Sequence, residues 1–165
     1  PCPAARRKEP RRQLPSLWNF HPPWRRHVGM TVHISRALLA RIKAHAAASP
    51  NAEICGLLLG GEGRISEARP AANVADDPAQ RFELDPAVLF AAHREARAGG
   101  LAVLGHYHSH PGGNAVPSAC EAEMAREGGM LWLICAPGGA CALWQVGTGG
   151  LHDRFVPVNL IVCED

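Results

Sequence analysis

The sequence predicts an α/β domain in which a mixed central sheet is flanked by helices. Strand-like and helix-like segments alternate through the first half of the patterned region, and strands dominate the second. No internal repeat or heptad pattern competes with that reading, and 165 residues suffice for one domain with a real core.

The elements follow in chain order. Residues 31–34 read as a short strand, and Ser35 is placed as the N-cap of a helix running to Ala48. Leu38, Leu39 and Ile42 share one face of that helix, and Pro50 ends it. The continuous apolar run 54–59, closed by Gly60-Gly61, reads as a buried strand, with 64–69 able to pair back across the turn. Residues 81–84 are a further short strand. Asp85-Pro86 suits the N-cap and first position of a second helix, which stops at Gly99-Gly100. Residues 101–108 form the next strand, a Pro/Gly loop spans 111–117, and 118–126 is a short helix. Three strands close the chain at 130–135, 141–146 and 155–162.

The formal net charge of +2 hides an asymmetry. Residues 1–29 hold seven Lys/Arg, one acid and six prolines with no periodic apolar pattern, and read as a disordered extension. Residues 30–165, the domain, carry 10 basic and 14 acidic residues. A body with a net charge of −4 has no surplus of cations for phosphates, which argues against nucleic acid as a partner. No apolar run reaches the roughly 18–20 residues of a membrane span, and no signal-peptide pattern is present. The six cysteines form no Cys-x-x-Cys pair and several sit in apolar runs, so a reduced cytoplasmic setting fits better than a disulfide scaffold.

Chemistry concentrates in Gly105-His106-Tyr107-His108-Ser109-His110-Pro111. Alternate residues of a strand share a face, so His106, His108 and His110 point to one side and Tyr107 to the other. Imidazoles about 6–7 Å apart along a strand can close on one metal where the strand ends. Pro117-Ser118-Ala119-Cys120-Glu121 then opens a helix that returns a carboxylate to the same end of the sheet. Two histidines and one carboxylate leave a fourth tetrahedral zinc position open, as catalytic sites do. Glu53, directly before the buried strand, is the candidate general base.

These segments resemble the JAMM, or MPN-plus, metallopeptidase family, particularly its small prokaryotic members. The matching residues are Glu53-Ile54-Cys55-Gly56-Leu57-Leu58-Leu59-Gly60, His108-Ser109-His110-Pro111 and Pro117-Ser118-Ala119-Cys120-Glu121, with the family's spacing kept between Pro111 and Pro117. The resemblance covers residues 30 to about 160 and implies a JAB/MPN-type fold with a deaminase-like topology. It implies one Zn²⁺ per chain held by His108, His110 and Glu121, with Glu53 as acid/base and Ser118 supporting the oxyanion. Asn73 falls where such proteins often carry a polar residue near the site. The implied activity is hydrolysis of a peptide or isopeptide bond at the tail of a ubiquitin-like or sulfur-carrier protein, since the body lacks room for the long insertions of ubiquitin-chain-cleaving relatives.

Glu121 departs from the pattern, because the family has Asp there. Ser118-x-x-Glu121 also fits a helix capping box, in which Glu121 bonds back to Ser118 instead of to a metal. Cys120 and Glu123 are then alternative ligands, and a metal-free, protein-binding scaffold is the alternative function. His106 reads as ordering the site or the core, His45 and His93 as surface or core residues, and Cys55 as a buried small residue. Zinc deaminases show His-x-Glu followed by Pro-Cys-x-x-Cys, and this chain has neither.

Overall fold

A computed structural model describes residues 30–164. The expected Pro/Arg-rich extension, 1–29, lies outside the described residues. Among the described residues, seven strands and three α-helices follow in the order β1 (Thr31–Ser35), α1 (Arg36–Ala47), β2 (Cys55–Gly61), β3 (Arg64–Ala71), α2 (Pro86–Arg97), β4 (Ala102–Ser109), α3 (Ala119–Met124), β5 (Leu131–Cys135), β6 (Cys141–Leu151) and β7 (Phe155–Cys163). The sheet is mixed, as expected, and closes on itself in the order β1-β3-β2-β4-β5-β6-β7, with β7 parallel to β1.

Local chemistry explains the helix starts. The side chains of Ser35 and Asp85 accept the amides of Leu38 and Ala87, and Pro86 opens α2 where no amide partner is needed. Leu38, Leu39 and Ile42 of α1 bury against β1, β3 and β4 in the main core, with Leu58, Leu104, Leu133 and Tyr107. Each such side chain contributes about 1.5–3 kcal/mol relative to exposure. A second cluster forms around Trp132, Phe155 and Ala122 under α3, and a third joins Ala92 of α2 to Leu57 and Leu59.

Two glycines set the strand spacing that places the site. A Cβ on Gly56 would lie 2.4 Å from Tyr107 and 2.5 Å from the Arg69 carbonyl. A Cβ on Gly105 would lie 1.9 Å from the Leu131 carbonyl, where β4 runs parallel to β5.

Residues 81–84 do not form the expected strand; a single bridge pairs Leu84 with Asn73. The Asn73 side chain takes the place of a ladder partner, donating to the Arg81 carbonyl and accepting the Glu83 amide. The cysteines differ as well: Cys135 and Cys141, six residues apart, form a disulfide across the β5–β6 hairpin. A bridge over so short a loop is not a scaffold, while Cys55 and Cys163 are free thiols. Among the described residues no helix is long and apolar enough to cross a membrane.

Candidate metal centre

The site lies where β4 ends. Antiparallel pairing sets Cys55 of β2 opposite His108, and Ser109 donates its amide to the Ile54 carbonyl. Continuing that register brings Glu53 opposite His110. The Ser109 hydroxyl accepts the Ile54 amide at 3.0 Å, so the residue between the two histidines locks the two strand ends together.

His108, His110 and Glu121 converge, their ligand atoms all within 4.8 Å of one another. Glu121 Oε1 is 2.7 Å from His108 Nε2 and 3.3 Å from His110 Nε2, and the two Nε2 atoms are 3.0 Å apart. His108 and Glu121 are buried. Two imidazole nitrogens and a carboxylate oxygen aimed at one point form a donor set that suits zinc with an open position. The support around His110 suits it too: its Nδ1 lies 2.9 Å from the Asn114 carbonyl, which leaves Nε2 as the ligating atom.

Glu121 offers one oxygen to each of the two roles that the sequence set against each other. Oε2 accepts the Ser118 amide and hydroxyl, each at 2.7 Å, while the Glu121 amide donates back to Ser118 Oγ at 3.2 Å. The capping box is therefore complete, and Oε1 still faces the histidines. The extra methylene of Glu relative to Asp lets one carboxylate reach both. Cys120 lies outside the converging set, and Glu123 is exposed on α3.

Electrostatics follow from the crowding. Burial pushes the Glu53 carboxyl up to about 7; nearby His110 pulls against that shift and Glu121 adds to it. Burial alone would raise Glu121 too, but the bonds from His108 and His110 win and hold it well below the usual carboxylate range. Burial keeps His108 below its ordinary value despite Glu121. In the less buried His110, the bond and charge of Glu121 outweigh burial and raise it. His106 is held neutral by burial, down to about 3, with its ring between Phe82 and Trp132. His45 bonds to the buried Tyr107 hydroxyl at 3.0 Å on the opposite face, as the strand alternation requires.

The Asn73 side chain contacts the site at the Glu53 backbone. Its amide donates to the Glu53 carbonyl at 2.8 Å, while the Glu53 amide donates to the Pro78 carbonyl at 2.7 Å. Sequence reading missed Phe82, whose ring stacks on His108 at 4.4 Å, and the structural use of Ser109. A serine between two candidate metal-ligating histidines was a usable signal for Ser109; an aromatic in a loop gave none for Phe82. Two cavities border β4. One of about 510 Å³ opens beside His110, Pro111 and Gly138, and one of about 310 Å³ beside His106, Trp132 and His93.

Fold and site together define a JAB-type domain with a two-histidine, one-carboxylate centre. The chain belongs to the prokaryotic homologs of the JAB domain, whose family model matches residues 35–147. It is 37% identical over 105 residues to a desampylase of Haloferax volcanii, covering 62% of this chain and 76% of that one. It is 33% identical over 98 residues to a probable TtuB-protein conjugate cleaving protease of Thermus thermophilus, covering 59% and 66%. Among solved structures, a Desulfitobacterium hafniense protein superposes with a TM-score of 0.70 at 26% identity, over 81% of this chain and 94% of that one. The resemblance drawn from the motifs is thereby borne out.

Proposed function

We propose that this chain is a zinc-dependent isopeptidase that releases a ubiquitin-like or sulfur-carrier protein from its conjugates by cutting at the carrier's C-terminal tail. The observation that carries the reading is the convergence of His108, His110 and Glu121 at a strand end with Glu53 opposite. The relatives support the substrate class, one being a desampylase and another a protease of protein conjugates.

His108 Nε2, His110 Nε2 and Glu121 Oε1 would hold the metal. Bound there, zinc supplies Lewis acidity that polarises the scissile carbonyl and acidifies a water. Glu53, with its carboxyl near 7, is matched to take a proton from water and pass it to the leaving amine. The Ser118 hydroxyl turns its hydrogen from Glu121 Oε2 toward the developing oxyanion, while the Ser118 amide keeps Oε2 in place.

The test is Glu53→Gln, assayed on a β-grasp carrier joined through its Gly-Gly tail to a lysine. The variant should keep about one zinc per chain and lose hydrolysis by roughly 10²–10⁴-fold. Cleavage at the wild-type rate removes Glu53 from the mechanism. Wild-type protein that cuts unrelated peptides and spares the carrier conjugate overturns the substrate class. Absence of zinc after reconstitution gives the lead to the metal-free scaffold.

A further inference from the structure

The two histidines are supported differently. His110 has the usual arrangement for a metal ligand, with its second ring nitrogen bonded to a backbone carbonyl. His108 Nδ1 is buried and has no hydrogen-bond partner among the described residues. The polar contacts of the ring, to Glu121 Oε1 at 2.7 Å and His110 Nε2 at 3.0 Å, are made by Nε2, the ligating atom itself, so the far side of the ring must be held by something other than a hydrogen bond.

Aromatic packing supplies the restraint. Phe82 lies parallel to the His108 ring, centroids 4.4 Å apart and planes 20° apart, and Trp132 meets the ring edge-on at 5.7 Å and 88°. Offset stacks and edge contacts of this kind have preferred geometries and resist ring rotation. Phe82 is itself fixed on the connection between β3 and α2. Asn73 uses all of its amide there, donating to the Glu53 and Arg81 carbonyls and accepting the amides of Ala75 and Glu83. Val74 and Glu83 are also joined through the backbone. One strap thus touches Glu53 at one end and His108 at the other.

We propose that Phe82, anchored by Asn73, is a positioning residue that orients His108 for the metal, in the role a hydrogen bond to Nδ1 usually plays. The inference rests on the metal-centre reading given above. It also gives the strap a second task, because the same Asn73 amide holds the Glu53 backbone: base and ligand are set relative to one another by one side chain.

Zinc affinity of the full chain, measured by competition with a chromophoric chelator, tests it, together with the visible spectrum of the Co²⁺-loaded protein. Wild type and His108→Ala establish whether the metal centre exists, independently of Phe82. Phe82→Leu keeps an apolar side chain but loses the stack, and should weaken zinc about 10–100-fold, the usual range for loss of a ligand's support. It should also alter the Co²⁺ spectrum, which a purely structural contact would leave alone. Phe82→Tyr keeps the ring and should restore both to near wild-type values. Asn73→Ala leaves the stack's chemistry intact and frees the strap, and should weaken zinc at least severalfold. If Phe82→Leu does not fold, Asn73→Ala decides the matter by the same two readouts. Wild-type affinity and an unchanged Co²⁺ spectrum in whichever of these variants folds overturn the proposal.

Discussion

Glu53 carries a stability cost that follows from its surroundings. Its carboxyl titrates near 7 in the folded chain, above the ordinary value of 4.5, because burial disfavours the charged form. Between those values the folded state binds more protons than the unfolded state, so stability falls as pH rises through that window. Metal-free Glu53→Gln should therefore be more stable than metal-free wild type at pH 8, with the gain shrinking toward pH 5. Urea unfolding at the two pH values measures this, and a gain that is equal at both would remove the carboxyl as its source. At this scale the sequence was informative where motif and spacing agreed: Glu53, His108, His110, Ser118 and Glu121 are all brought to one strand end. It was silent on Phe82, because stacking depends on where a loop lands and leaves no periodic trace. It also posed cap and ligand as rivals for Glu121, since one-dimensional spacing does not separate the two oxygens of a carboxylate.

Strands and helices were legible because their signals are local. Caps at Ser35, Asp85 and Ser118 mark helix starts, and apolar runs bounded by glycines mark β2 and β4. Two features were not legible. Residues 81–84 have strand composition, but beyond a single bridge and one backbone bond to Val74 their partner is the side chain of Asn73, eight or more residues upstream of Arg81 and Glu83. The Cys135–Cys141 bridge depends on hairpin pairing, in which those two residues are register partners, and not on any spacing motif. The β2–β4 pairing itself rests on Gly56, whose missing side chain leaves room for Tyr107. Gly56→Ala forces a methyl group against the Tyr107 ring and the Arg69 carbonyl, and overpacking of this kind costs about 1–3 kcal/mol. The urea midpoint should fall accordingly, and an unchanged midpoint would mean that β2 and β4 can separate without penalty.

For the whole domain, a metal bound only by the folded state adds to global stability. Chelation should lower the thermal midpoint of wild type, by an amount matching about 2.7 kcal/mol when free zinc stands at 100 times its dissociation constant. Glu121→Gln is the informative control, because Gln also serves in a capping box but offers no carboxylate to the metal. The variant should stay folded and show little response to the chelator; a full wild-type response would mean that Glu121 is not a ligand. Small structural zinc domains stay unfolded until the ion arrives, so that loading and folding are one event. Here the bonds that start α3 run between Ser118 and Glu121 through Oε2 and the two backbone amides, and none of them uses the Oε1 that faces the histidines. Ion entry then becomes a docking step onto a finished surface. Amide hydrogens in the first turn of α3 should exchange at similar rates in the empty and loaded protein, and zinc should be removable and returnable without a refolding phase.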